Sequence, residues 1–412
     1  GRAAALHRAC ATMLERRSDD RRGIAERLGR HLLHAGQIVP ALGKLLEGAR
    51  ERQRSGDPAS ARRLLDYRER ALHTLQLPRK DELWGLGWVA RVEIDLQDGR
   101  SDAAAVEVQL QRLEAAVVRH GWKRVAPGAA LLRGLVHLRG GRYPDATTEF
   151  AKAASLAELR RDHRLEARAL TESASARLRM GDLDLARVDL NDALAHFDAV
   201  ADIHGRASAR WGLGRLAIQE GRLTEAGREI AAARDDFTAA GSRWSAAECV
   251  NGLGDLARLE SQTSVAEALY RDAMRRMEAV GHHAALIPRI NLGLLLVVRK
   301  EFVAARRLLE APLRGVDREA NPIVAAAMCM VLLAPVAHAG EWKAWEDYLN
   351  TASRILSRTR FVDRDNGLLA CIAAEEAIAQ GAIEPARSAL GLAYQQYQAL
   401  GMKDELEGVL AR

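Results

Sequence analysis

The sequence predicts an all-α protein, a right-handed α-solenoid of about ten antiparallel helix pairs. A turn pattern recurs with a period near 40 residues, and small residues fall at fixed distances on both sides of it. The chain has 412 residues, 48% hydrophobic and 28% charged, which is ordinary for a folded soluble chain and excludes a disordered one. Length alone allows two to four globular domains or one long array. The internal period decides for the array.

The turn reads Gly-[polar]-[apolar]-x-x-Ala. It occurs at Gly141 (GRYPDA), Gly181 (GDLDLA), Gly221 (GRLTEA), Gly340 (GEWKAW) and Gly381 (GAIEPA). Ser261 (SQTSVA) and Lys300 (KEFVAA) stand in the same slot with the glycine lost, so the separations run 40, 40, 40, 39, 40 and 41. Upstream, Gly36 (GQIVPA), Gly56 (GDPASA) and Gly99 (GRSDAA) are spaced by 20 and 43, then 42 to Gly141. Twenty residues is one helix in place of two, which puts Gly36 and Gly56 at opposite ends of neighbouring helices.

A second small residue falls seven positions before most turns: Gly29, Gly134, Ala174, Gly214, Gly254, Gly293 and Ala374. Seven residues is two helical turns, so a partner helix can approach closely there. The Ala five after the turn (Ala41, Ala61, Ala104, Ala146, Ala186, Ala226, Ala266, Ala305, Ala386) allows the same approach from the second helix. Twelve after the turn come Ala153, Ala193, Ala233, Ala273, Ala352 and Ala393, with Phe197, Phe237, Met277 and Tyr397 four further on. These large side chains plug the junction with the next pair. Residues 76–98 and 311–322, where Pro and charges interrupt the pattern, are the expected bends.

Small at the eighth position, Gly at the fifteenth, Ala at the twentieth, an aromatic at the twenty-fourth and Ala at the twenty-seventh resemble the tetratricopeptide repeat, here in a longer form near 40 residues. The resemblance covers nearly the whole chain and implies fold far more than function, because the recurring residues are packing residues. The first 75 residues, with LHRACATMLERR and AERLGRHLLHAGQIVPALGKLLEGARERQRSGDPASARRLLDYRERAL, resemble the segment that follows the nucleotide-binding part of bacterial signal-transduction ATPases with numerous domains. Similar arms occur in kinase-linked ATPase regulators. The expected organisation is a helical linker with degenerate first repeats over residues 1–75 and a continuous superhelix over 76–412. No G-x-x-x-x-G-K-[ST] loop occurs in the chain.

Composition narrows the function classes. The net charge of +6 is spread along the chain with no basic stripe of the kind a nucleic-acid binder concentrates. Cys10, Cys249, Cys329 and Cys371 lie far apart, with no C-x-x-C pair, which fits a reducing cytoplasm. The longest apolar run, Ile323 to Ala337, is 15 residues, about 22 Å as a helix. That is short of a bilayer core, so a buried helix and no membrane span is expected. The chain begins at Gly1 without a signal-like segment, and the expectation is a piece of something longer.

Chemistry-bearing motifs are sparse. His31 and His34 are one helical turn apart, but the sequence offers no clustered third ligand. His282 and His283 fall in an inter-pair loop. Asp19-Asp20, Asp235-Asp236 and Glu375-Glu376 are paired acids whose expected place is a solvated helix face. No nucleophile elbow, H-E-x-x-H or dinucleotide fingerprint is present, so no catalytic residue, cofactor or metal is assigned and the chain reads as non-catalytic.

Function then lies in surfaces. In tetratricopeptide arrays the first helix of each pair lines the concave groove, with groove positions six and three before, then one and four after, the small eighth residue. Those offsets trace one helix face. They give Arg168, Thr171, Ser175 and Leu178; then Ser208, Trp211, Arg215 and Ile218; then Glu248, Asn251, Asp255 and Arg258. The candidate binding residues are Arg168, Thr171, Trp211, Arg215, Glu248, Asn251, Asp255 and Arg258, with Trp211 and Arg215 as anchors. Further on the stripe turns apolar: Ile287, Ile290, Leu294 and Val297, then Ala327, Met330, Ala334 and Ala337. Such a wall either receives something apolar or is buried by the superhelix closing on itself.

The implied function is a protein-interaction or ligand-sensing arm of a larger cytoplasmic signalling regulator, taking a protein, peptide or small effector in its groove. A free-standing adaptor is the alternative. Direct nucleic-acid binding is not expected. The last helix, with Leu406, Val409 and Leu410, leaves self-association through a solenoid end open.

Overall fold

The computed structural model describes residues 2–16, 23–98, 102–279, 285–319 and 321–411. Every regular element among the described residues is helical. The chain opens with α1 (Arg2–Arg16), α2 (Ile24–His34), α3 (Ile38–Arg54) and α4 (Pro58–Thr74). Helix pairs follow: α5 (Glu82–Asp98) with α6 (Ala103–His120), α7 (Ala126–Arg139) with α8 (Tyr143–Glu158), α9 (His163–Met180) with α10 (Leu183–Ala199), and α11 (Ile203–Gln219) with α12 (Leu223–Ala240). Next come α13 (Arg243–Leu259) with α14 (Thr263–Ala279), α15 (Leu286–Val298) with α16 (Phe302–Arg314), and α17 (Pro322–His338) with α18 (Trp342–Thr359). The last pair is α19 (Arg364–Ala379) with α20 (Ile383–Leu400), capped by the short α21 (Lys403–Leu410). This is an α-solenoid of tetratricopeptide-like antiparallel pairs.

The turns explain why the helices stop where they do. Gly36, Gly56, Gly141, Gly181, Gly221, Gly340 and Gly381 all take positive φ, the left-handed conformation glycine adopts without a Cβ penalty. Ser261 and Lys300 take it too, at φ 63° and 61°, so the two units that lost the glycine kept the backbone shape and bear the strain. The turns between pairs have their own 40-residue rhythm, at Gly121, Arg161, Ala201, Gly241, Arg360 and Gly401, again with positive φ. Aspartates cap the helices that follow: Asp57 accepts from the Ser60 amide, Asp162 from Leu165 and Asp202 from Gly205.

Packing follows the small-residue rows. A Cβ added at Gly134 would come within 2.5 Å of the Phe150 ring, at Gly214 within 2.5 Å of Ile230 Cγ1, at Gly254 within 2.7 Å of Tyr270, and at Gly293 within 2.8 Å of Leu309. Each partner stands sixteen residues beyond its glycine, the same step across every hairpin. Ala41, Ala61, Ala146, Ala186, Ala226, Ala266 and Ala305 are fully buried, and Ala386 nearly so. Ala104 is the exception: it is exposed. The Gly99 turn lies outside the described residues, but Asp102 caps α6. Four residues past that cap, where the other units carry their Ala, stands buried Val106. The register there slips by two residues, and counting from Val106 restores the 40-residue step to Ala146.

The odd-numbered helices form the inner layer. Consecutive odd helices pack from α3 to α13 and again from α15 to α19, while the even ones lie outside. In the last third the inner layer tightens, with α15, α17 and α19 all in mutual contact. The apolar α17 is buried along almost its whole length. No helix among the described residues is long and apolar enough to cross a membrane. The array also meets itself: the turn at Gly141 abuts Thr359 at the end of α18, and the Arg179 guanidinium lies 5.3 Å from the centre of the Phe361 ring. At the far end Val409 is buried and Leu406 packs on the core, leaving only Leu410 of the three exposed. The final helix closes the core instead of offering a broad apolar end.

Three substitutions test the packing and the turns. Gly214→Ala should destabilise the chain by about 1–3 kcal/mol through overpacking on Ile230, whereas Gly43→Ala, with open space around it, should stabilise by about 0.5–1 kcal/mol; urea midpoints read both. Ser261→Gly should raise stability by about 1 kcal/mol by relieving the left-handed strain, and an unchanged or lower midpoint would contradict it.

Candidate binding groove

The inner layer sets which of the expected groove residues face water. On the apolar wall, Leu294 (3% exposed) and Met330 (0%) are core residues. The contacts among α15, α17 and α19 cover them, so both leave the set of residues a ligand could reach. Ile290 is half-buried against the same core, and Ile287 keeps 38% of its surface exposed. Burial by neighbouring inner helices, the second alternative the sequence left open, accounts for most of the wall.

Two of the polar stripe residues are also inside the protein. Thr171 is buried and its hydroxyl donates to the Ala167 carbonyl at 2.9 Å. Asn251 is buried, and its side-chain carbonyl accepts from the Asn291 amide at 3.2 Å. Trp211 is half-buried with its ring against Gly252 of α13. It is a wedge between inner helices more than a free aromatic anchor.

The charged residues form two neighbouring groups. In the first, Arg168 pairs with Glu93 of α5 at 2.7 Å. Burial works to raise the Glu93 carboxyl, and the Arg168 and Arg50 guanidiniums outweigh it and hold it below its usual range. His204, at the start of α11, is pushed down to about 4 by burial, with Arg54 adding to the effect. Its imidazole is therefore neutral at pH 7. Burial raises Glu172 on the same stretch of α9.

The second group lies on α11, α13 and the start of α19. Asp255 accepts from the Tyr270 hydroxyl at 2.8 Å and from the Asn291 amide at 2.8 Å. Burial still pushes it up to about 7, the Tyr270 hydrogen bond opposing. Arg258 forks onto Asp365 at 2.7 and 3.1 Å, joining helices 107 residues apart. Asp363 beside it is raised to about 6 by burial and by the Asp365 carboxylate. Arg215 and Glu248 differ in kind. Neither makes a direct ion pair or side-chain hydrogen bond among the described residues, yet burial lowers Arg215 to about 10 and raises Glu248 to about 7. Both keep part of their surface in water. An unpaired cation and an unpaired carboxyl stand on one groove floor, close enough for each to feel the other's charge.

The stripe offsets thus found Arg168, Arg215, Glu248, Asp255 and Arg258, and missed Glu93, Glu172, Arg179, His204, Asp363 and Asp365. Asp363 is the N-cap of α19 and Asp365 lies in its first turn, outside the groove offsets counted from the small eighth residue. Elsewhere, His31 and His34 do gain a third imidazole, His7 of α1. Its Nδ1 is 2.9 Å from Nδ1 of His31 and its ring stacks on His34. His282, His283 and the Asp19-Asp20 pair lie outside the described residues. Asp236 is engaged by Arg206 at 2.7 Å and Glu376 by His338 at 2.9 Å.

No protein-family model and no curated protein sequence matches the chain. Solved structures do. A Rap protein complexed with competence and sporulation factor is 12% identical with a TM-score of 0.67, covering 90% of this chain and 99% of that one. NprR in complex with its cognate peptide NprX is 15% identical with a TM-score of 0.58, over 85% and 98%. The Rap conjugation gene regulator of the plasmid pLS20, in complex with the Phr* peptide, is 13% identical with a TM-score of 0.55, over 89% and 98%. At these identities the likeness is one of fold, and this chain shares the tetratricopeptide-type helical array.

Glu248 gives a pH signature. Its folded value near 7 exceeds the usual carboxyl value of about 4.3, so its contribution to stability is complete below pH 4 and fades as pH rises through 7. Wild type should lose about 2–3 kcal/mol more than Glu248→Gln between pH 5 and pH 8. His204 titrates with the opposite sign and cancels in the comparison. Equal losses in urea titrations at the two pH values would contradict the raised carboxyl.

Proposed function

We propose that the chain is a non-catalytic sensing or interaction arm that binds an extended peptide, or a peptide-like segment of a protein, along its inner groove. The observation that carries this reading is the unpaired Arg215 facing the unpaired Glu248 on a partly water-exposed floor. A cation held out of bulk water without a partner gains strongly from a carboxylate, and a carboxyl near 7 can accept an amide or amine. The three similar structures named above are complexes with a peptide or factor, which supports the same use of the fold. The expected residues Arg168, Asp255 and Arg258 would line the path, and Thr171 and Asn251 would fix the helices beneath it.

On this reading residues 1–75 form the end that connects to a switch and 76–412 the sensing array, in a reducing cytoplasm. Ligand binding would favour one curvature of the array, which requires different affinity for the two states. The free-standing adaptor remains a second reading. The similar structures, helical arrays in complex with a peptide or factor, fit it equally well.

A displayed library of random linear peptides, selected on the 412-residue protein, tests the proposal. Selected peptides should carry an acidic group or free carboxylate, and Arg215→Ala should weaken them by about tenfold or more, as loss of a charge-assisted hydrogen bond does. Peptides that bind Arg215→Ala as tightly as wild type would place recognition elsewhere.

A further inference from the structure

We propose that His163, Glu166 and His196 form a binding site for a zinc-class divalent cation, separate from the Arg215 and Glu248 floor. His163 is the first residue of α9 and Glu166 lies one turn on, so both project from the same helix face. His196 comes from the last turn of α10, the antiparallel partner, which ends where α9 begins. The Asp162 cap fixes the start of α9. Two rigid helices therefore hold the three groups, with no flexible loop involved.

The distances are those of ligands around a small cation. His163 Nδ1 is 3.4 Å from one Glu166 oxygen, and His196 Nε2 is 3.4 Å from the other. One ligand atom from each residue falls within 4.8 Å of the other two. Tetrahedral zinc with bonds of about 2.0–2.1 Å separates its ligand atoms by about 3.3 Å. A charge-assisted hydrogen bond would instead be nearer 2.7–2.9 Å.

A second observation points to a missing partner. Glu166 Oε2 is buried and has no hydrogen-bond partner, which is costly for a carboxylate unless something cationic meets it. The nearby Arg164 is already taken by Asp202 at 2.7 Å. The imidazole rings lie nearly parallel, 5.3 Å apart, and both histidines keep enough surface for an ion to enter, 47% and 30%.

Two neutral imidazoles and one carboxylate are a donor set suited to zinc. Three protein ligands leave the fourth position to water or to an incoming group. A bound ion would pin the start of α9 to the end of α10 and stabilise that hairpin by mass action.

The test uses tag-free, chelator-stripped 412-residue protein titrated with zinc ion alone by calorimetry, with melting temperature followed in parallel. The His7, His31 and His34 cluster is a second imidazole group, so His31→Ala serves as the control. Expected are one zinc bound tightly by wild type and by His31→Ala, with a rise in melting temperature, and affinity lowered at least about tenfold in His196→Ala and in the isosteric Glu166→Gln. Wild type that takes up no zinc would overturn the proposal, as would His196→Ala and Glu166→Gln binding it like wild type. Should His196→Ala fold poorly, Glu166→Gln decides the outcome alone.

Discussion

The structure depends on one steric relation: a residue with almost no side chain faces a large one sixteen positions later, across the hairpin. Gly134 and Phe150, Gly214 and Ile230, Gly254 and Tyr270, and Gly293 and Leu309 repeat it. The small residue sets how near the two helices come, and the large one fills the space that approach leaves. Because the relation recurs at one step, each pair is offset from the last by a similar rotation, and curvature accumulates without any long-range instruction.

Accumulated curvature brings distant segments together and creates the groove chemistry. The turn at Gly141 reaches Thr359, Arg179 covers Phe361, and Arg258 of α13 meets Asp365 of α19. These contacts surround Asp255, Asp363, Arg215 and Glu248 with protein while leaving some of them in touch with water. That explains why carboxyls with ordinary sequence neighbours are raised to about 6 or 7. The same tightening explains the apolar wall. Helices α15, α17 and α19 need Leu294 and Met330 as core for one another.

Fold was legible in the sequence because packing within a hairpin is local and periodic. Even the two units without glycine kept their turn at Ser261 and Lys300. The one slip, at Ala104, came from counting from a turn glycine when the helix cap at Asp102 sets the register. The site was only half legible. Helix-face offsets found Arg215 and Glu248, because those lie on one helix each. Asp363, Asp365 and the pairing of His163 with His196 arise from superhelical closure and from contacts between helices, and spacing along one helix contains neither.

The array curves until the α7–α8 hairpin meets the end of the α17–α18 hairpin. Spin labels at Asp145→Cys and Arg358→Cys, both exposed, in a Cys10→Ser background would measure this by pulsed dipolar spectroscopy. A single narrow short-range distance is the predicted result, since the two sites flank the Gly141 and Thr359 contact. A broad distribution at long range would mean an open superhelix, and the enclosed groove floor would not exist.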